Sequence, residues 1–136
     1  MEIRPLNEEE HSALNDGLKL AARYVDDELP LSLDQVQSLY DVICQNHSEN
    51  LEAQIAVGLA FGQTIASVTD YEWVRVKDEY GEETALSPAG LKAACHPISI
   101  LQKRIAKKEQ VNLGELRDGV IRIIESRRAE GAFDHR

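Results

Sequence analysis

The chain holds 136 residues, 43% hydrophobic and 29% charged, enough for one ordinary domain with a buried core and a solvated surface. Its 24 acidic against 15 basic side chains leave a net charge of −9, which opposes unspecific attraction to nucleic acid or anionic lipid; neither DNA nor a membrane is expected as a partner. The longest uncharged run, 53–69, is shorter than the roughly 20 apolar residues of a spanning helix and contains Gln54, Gln63, Thr64 and Ser67, so it reads as a buried helix.

Asn7 and Glu10 have capping-box spacing, and Leu14, Leu18, Ala21, Ala22 and Val25 recur at helical intervals before Asp26-Asp27-Glu28-Leu29-Pro30. Ser32 and Gln35 repeat the signal ahead of Val36, Leu39, Tyr40 and Ile43, and this second helix closes near Asn46-His47-Ser48. From Asn50 the run Leu51, Ile55, Leu59, Ile65 is apolar on more than one side, which predicts a third helix sunk into the core. Within it Gly58, Gly62 and Ala66 fall four apart and leave one face nearly bare. Two glycines cost about 1 kcal/mol each against alanine inside a helix, which points to close packing as the compensation, with a small ligand on the bare stripe as the alternative.

The period then changes. Tyr71 to Lys77 alternates partly at period two and is rich in aromatic and β-branched residues, and Asp78-Glu79-Tyr80-Gly81 supplies a turn. Thr84-Ala85-Leu86 and Leu91 to Cys95 complete the expectation of a three-stranded antiparallel meander. Pro97 opens a helix with Ile98, Leu101 and Ile105, and Asn112 with Glu115 opens a last one carrying Leu116, Val120, Ile123 and Ile124. The expected architecture is α+β in a single domain, 1–136: three helices, a small sheet, then two helices packed on it, with 131–136 a frayed tail.

The opening residues lack the basic start and apolar stretch of a secretion signal. Cys44 and Cys95 lie far apart without C-x-x-C spacing, so neither a disulfide framework nor a zinc knuckle is indicated and a reduced, cytoplasmic setting is expected. The acidic patches lack the alternating spacing that wraps calcium, and no nucleophile elbow, phosphate loop or dinucleotide fingerprint is present, so no metal or cofactor is expected. Residues 1–91 carry 18 acidic and 5 basic side chains, residues 92–128 carry 4 and 9. The basic faces, with Lys103, Arg104, Lys107 and Lys108 on one helix, either pair with the acidic half or dock an acidic partner. His96 beside Cys95 reads as a helix cap rather than a base, because neighbours on an extended chain point to opposite faces. Trp73 reads as sheet packing. Tyr80 is either packed or an exposed aromatic anchor among carboxylates.

The segment Gly58-x-x-x-Gly62, the run Trp73-Val74-Arg75-Val76-Lys77-Asp78-Glu79-Tyr80-Gly81, and His96-Pro97 followed by Lys103-Arg104 resemble the bacterial domain of unknown function 3806 family. The resemblance covers about residues 50–120 and leaves the segment before Asn50 outside it. It implies a small bacterial protein of helix, sheet and helix, and brings no reaction or catalytic residue. The candidate binding residues are Trp73, Asp78, Glu79, Tyr80, His96, Lys103 and Arg104, with Asp78 and Glu79 expected to meet Arg104 as an ion pair or as one wall of a cleft. The function expected is a non-enzymatic module for a protein partner, in one version an immunity-type protein whose acidic surface neutralises a basic toxin. The alternative is a small ligand-binding domain or enzyme with a cleft between the sheet and the 97–108 helix.

Overall fold

The computed structural model describes Met1–Arg136 in full. In chain order its elements are β1 (Glu2–Pro5), α1 (Glu8–Tyr24), α2 (Leu33–Asn46), α3 (Leu51–Ala66), β2 (Tyr71–Asp78), β3 (Gly81–Pro88), α4 (Pro97–Ala106) and α5 (Leu113–Ala129). The fold is α+β: five helices and one three-stranded antiparallel sheet in the order β1-β2-β3.

The helix starts follow from short polar side chains that take up orphan backbone N–H groups. Asn7 accepts from the Glu10 N–H at 2.8 Å while the Glu10 carboxylate accepts from the Asn7 N–H at 2.9 Å, and Ser32 with Gln35 repeats the reciprocal pair. Asn50 and Asn112 cap α3 and α5. α4 starts differently. Its N-cap, His96, makes no side-chain capping bond, and Pro97 at the first position supplies the helical φ instead.

α3 is the spine. Ala53, Ala56, Val57, Ala60, Phe61 and Ile65 are buried in the main core, against Val36, Leu39, Tyr40 and Ile43 of α2 and Leu101 and Ile105 of α4. The bare stripe is filled by protein. A Cβ on Gly58 would lie 2.6 Å from the Ile98 Cα, and one on Gly62 would lie 2.8 Å from the Pro97 Cγ and against the Trp73 indole. Close approach of α4 and β2 to the α3 backbone is therefore what the two glycines permit.

Two expectations about the sheet and tail are corrected. Residues 91–95 do not form the third strand: Cys95 makes one bridge to Leu86, with both N–H to O bonds at 2.7–2.9 Å, and Leu91 makes one to His135. Pro97 has no N–H to continue such a ladder and turns the chain into α4. The third strand comes from the N-terminus, where Glu2↔Lys77 through Pro5↔Val74 pair antiparallel and Ile3 packs on Val74 and Val76. Nor is 131–136 frayed. The Lys92 N–H donates to the Asp134 carbonyl at 2.7 Å, the Arg136 N–H donates to Gly90, and the Arg136 guanidinium reaches the Leu91 and Pro88 carbonyls, Ser87 Oγ and the Glu72 carboxylate. No helix is long and apolar enough to cross a membrane.

Candidate functional site

The β2–β3 hairpin, the connection into α4 and the outer face of α5 enclose an open cleft of about 710 Å³. The hairpin register is regular from Tyr71↔Pro88 to Asp78↔Gly81, which leaves Glu79 and Tyr80 as its two-residue tip. Asp78 Oδ1 accepts from the Tyr80 N–H at 2.8 Å and so holds the turn. Tyr80 is 90% exposed, and across the cleft Ile123 of α5 is 65% exposed. Ile100, Val120 and Ile124 make the wall between them apolar.

Four of the seven sequence candidates line this cleft: Asp78, Tyr80, His96 and Lys103. Glu79 sits beside it at the tip. Trp73 is elsewhere, on the face of β2 that meets α3, with its Nε1–H donating to Gln63 Oε1 at 2.9 Å. Arg104 donates to the Ile100 carbonyl at 2.9 Å, one turn back on its own helix, and pairs with neither Asp78 nor Glu79. The expected contact between the turn carboxylates and Arg104 is therefore absent.

Its place is taken by a residue outside the candidate set. Glu83, on the edge strand β3, pairs through Oε1 with His96 Nδ1 and accepts through Oε2 from the Ser99 hydroxyl at 3.2 Å. The imidazole Nδ1 is sealed from solvent and lies against the carboxylate, though the contact is not a well-directed hydrogen bond. One carboxylate thus fastens the hairpin to the first turn of α4, and His96 acts as its partner instead of as a helix cap. Only tertiary structure joins positions 83, 96 and 99; a Glu two residues beyond a turn glycine has no local signature.

The chemistry available here is limited. The Ser99 hydroxyl is directed to a carboxylate and not to an imidazole, so the Glu83, His96 and Ser99 group lacks the relay that activates a serine. Cys95, also at the cleft, is buried, and burial pushes its thiol up to about 12, far from thiolate at neutral pH. No three His, Cys, Asp or Glu side chains gather as metal ligands. On the other side of the hairpin, Arg4 meets Glu10 at 2.7 Å and Glu82 at 3.0 Å, and Arg75 reaches both carboxylates at 3.3 and 3.4 Å, tying β1, β2 and β3 to α1. The Arg4 guanidinium and the Asn7 N–H together hold the Glu10 carboxyl down at about 2.

A second hollow of about 690 Å³ lies between α2 and the α4–α5 connection, where Gln37 and Tyr40 are already committed to the backbone. Gln37 donates to the Val111 carbonyl and accepts from the Leu113 N–H, and the Tyr40 hydroxyl donates to the Glu109 carbonyl.

The sequence profile of the family described as "Domain of unknown function (DUF3806)" matches residues 33–116, well over half of the chain. The chain belongs to this family. The match begins at α2, earlier than the resemblance near Asn50 indicated, and takes in α3, the β2–β3 hairpin and α4. Among curated proteins nothing matches. A crystal structure of a protein from Bacteroides thetaiotaomicron VPI-5482, at 1.50 Å resolution, is similar with a TM-score of 0.71 and 20% identity over 88% of this chain. That likeness shows the fold. The chain spans about half of that longer protein, 47% of its length.

Proposed function

We propose that this member of the family is a non-enzymatic binding module that recognises a protein partner through the hairpin cleft. The observation that carries the reading is the pair of exposed apolar side chains, Tyr80 and Ile123, standing on either side of an apolar wall. Isolated surface apolar residues are ordinary, but two flanking a concave apolar surface with a charged rim match the anatomy of a recognition patch. Tyrosine has few side-chain torsions to fix on binding, which suits it as an anchor. The committed Ser99 hydroxyl and the buried, protonated Cys95 support binding over nucleophilic catalysis. Two free cysteines that are both buried fit a reducing, cytosolic compartment.

Co-isolation from the protein's own host tests the reading. The full chain is expected to retain a protein that Tyr80→Ala with Ile123→Ser releases, while the variant's thermal unfolding stays within a few degrees of the parent. Equal recovery with both chains would exclude the cleft as the binding surface.

A further inference from the structure

We propose that the occupant of the cleft is an extended segment of the partner that carries a lysine or arginine next to an aliphatic or aromatic side chain, with its cation toward the hairpin tip. The proposal rests on the binding-module reading and adds the chemistry of what is bound.

The charges around the cleft differ in whether they are already used. Glu82 is taken by Arg4 and Arg75, and Glu83 by His96 and Ser99. Asp78 and Glu79 have no ion-pair partner, and Asp78 commits only Oδ1, to the turn. The hairpin therefore presents one uncompensated carboxylate on the cleft wall, Asp78, and a second, Glu79, at the tip beside it, next to the exposed Tyr80 ring. An aromatic face next to carboxylates attracts ammonium and guanidinium groups by both its quadrupole and their charge. On the opposite wall Lys103 is likewise without a carboxylate. Opposite signs on the two walls fix the orientation: a cation is drawn to the hairpin and repelled from α4. The apolar wall between them, Ile100 with Val120, seats the neighbouring apolar side chain. With a net charge of −9 the whole molecule favours the approach of a basic segment and disfavours an acidic one.

Panning a displayed library of random peptides against the full chain tests this. Enriched peptides are expected to pair Lys or Arg with Leu, Ile, Phe or Trp. Their affinity should fall about tenfold on Asp78→Lys with Glu79→Lys and rise on Lys103→Glu. Asp27→Lys with Glu28→Lys changes the net charge equally in the α1–α2 connection and should leave affinity within about twofold. Asp78→Asn with Glu79→Gln keeps the turn acceptor and should still weaken binding about threefold, which guards against a misfolded hairpin. Equal losses in the two lysine pairs would reduce the effect to net charge and overturn the proposal. Acidic or uncharged peptides that nonetheless require Tyr80 and Ile123 would overturn it too, leaving the binding module intact. Peptides indifferent to Tyr80 and Ile123 would contradict both.

Discussion

Gly58 and Gly62 set how near α4 and β2 come to α3, and the consequence can be measured at each. At Gly58 a methyl group would meet the α4 backbone, which cannot swing aside; at Gly62 it would meet Pro97 and the Trp73 ring, held by its bond to Gln63. Alanine should gain about 1 kcal/mol of helix propensity at either site and lose more to overpacking, for a net cost of about 1–2 kcal/mol in chemical unfolding. Gly119 is the control, because a Cβ there meets nothing within 4 Å, and Gly119→Ala should stabilise α5 by up to about 1 kcal/mol. Glu10 titrates in the native state near 2, below its ordinary 4.5. A carboxylate lowered on folding stabilises the native state above its unfolded value, and that contribution is lost as pH falls from about 4.5 toward 2. Glu10→Gln should therefore flatten the stability profile across that window while changing little in its shape above it. Cys95, only 6% exposed at the cleft wall and protonated, should react far more slowly with a thiol reagent in the native protein than in denaturant.

An element shows itself in the sequence where its signal is local. Asn7 with Glu10, Ser32 with Gln35 and Asn112 with Glu115 mark three helix starts within four residues of chain, and the structure has all three. The hairpin was equally readable, since alternation and a turn glycine sit side by side. β1 was not: Glu-Ile-Arg-Pro is too short and too charged to show a period, and it becomes a strand only because the edge of β2 offers it partners. Leu91 to Cys95 follows a Ser-Pro-Ala-Gly turn but holds no β-branched or aromatic residue, and the proline two residues on ends the pairing after one bridge. The same logic governs the site. Asp78, Tyr80 and His96 stood out locally, whereas Glu83 emerges only when β3 and α4 are brought together. The C-terminal strap shows how one distant side chain can organise an element. Arg136 satisfies Ser87 Oγ and two carbonyls of the 87–91 connection. Arg136→Ala should cost about 1–3 kcal/mol by leaving these groups short of a donor, and the Lys92 amide should lose hydrogen-exchange protection first.

Across the whole molecule the acidic and basic halves meet at few points. Arg128 pairs with Asp70 at 2.7 Å and Arg136 with Glu72 at 2.8 Å, while Lys103, Lys107 and Lys108 pair with no carboxylate. Internal compensation therefore accounts for only part of the basic C-terminal surface, and the acidic hairpin tip keeps its charge. The exposed Tyr80, the apolar wall and the unspent carboxylates meet at one cleft, where we propose that a protein partner sits. The most direct measurement replaces Tyr80 with a photoreactive benzoylphenylalanine and irradiates the full chain inside its host, with Lys19 on α1 as the site outside the cleft. A discrete crosslinked protein is expected from position 80 that position 19 does not give. Irradiation that yields no adduct at position 80, or the same adducts at both positions, would contradict it.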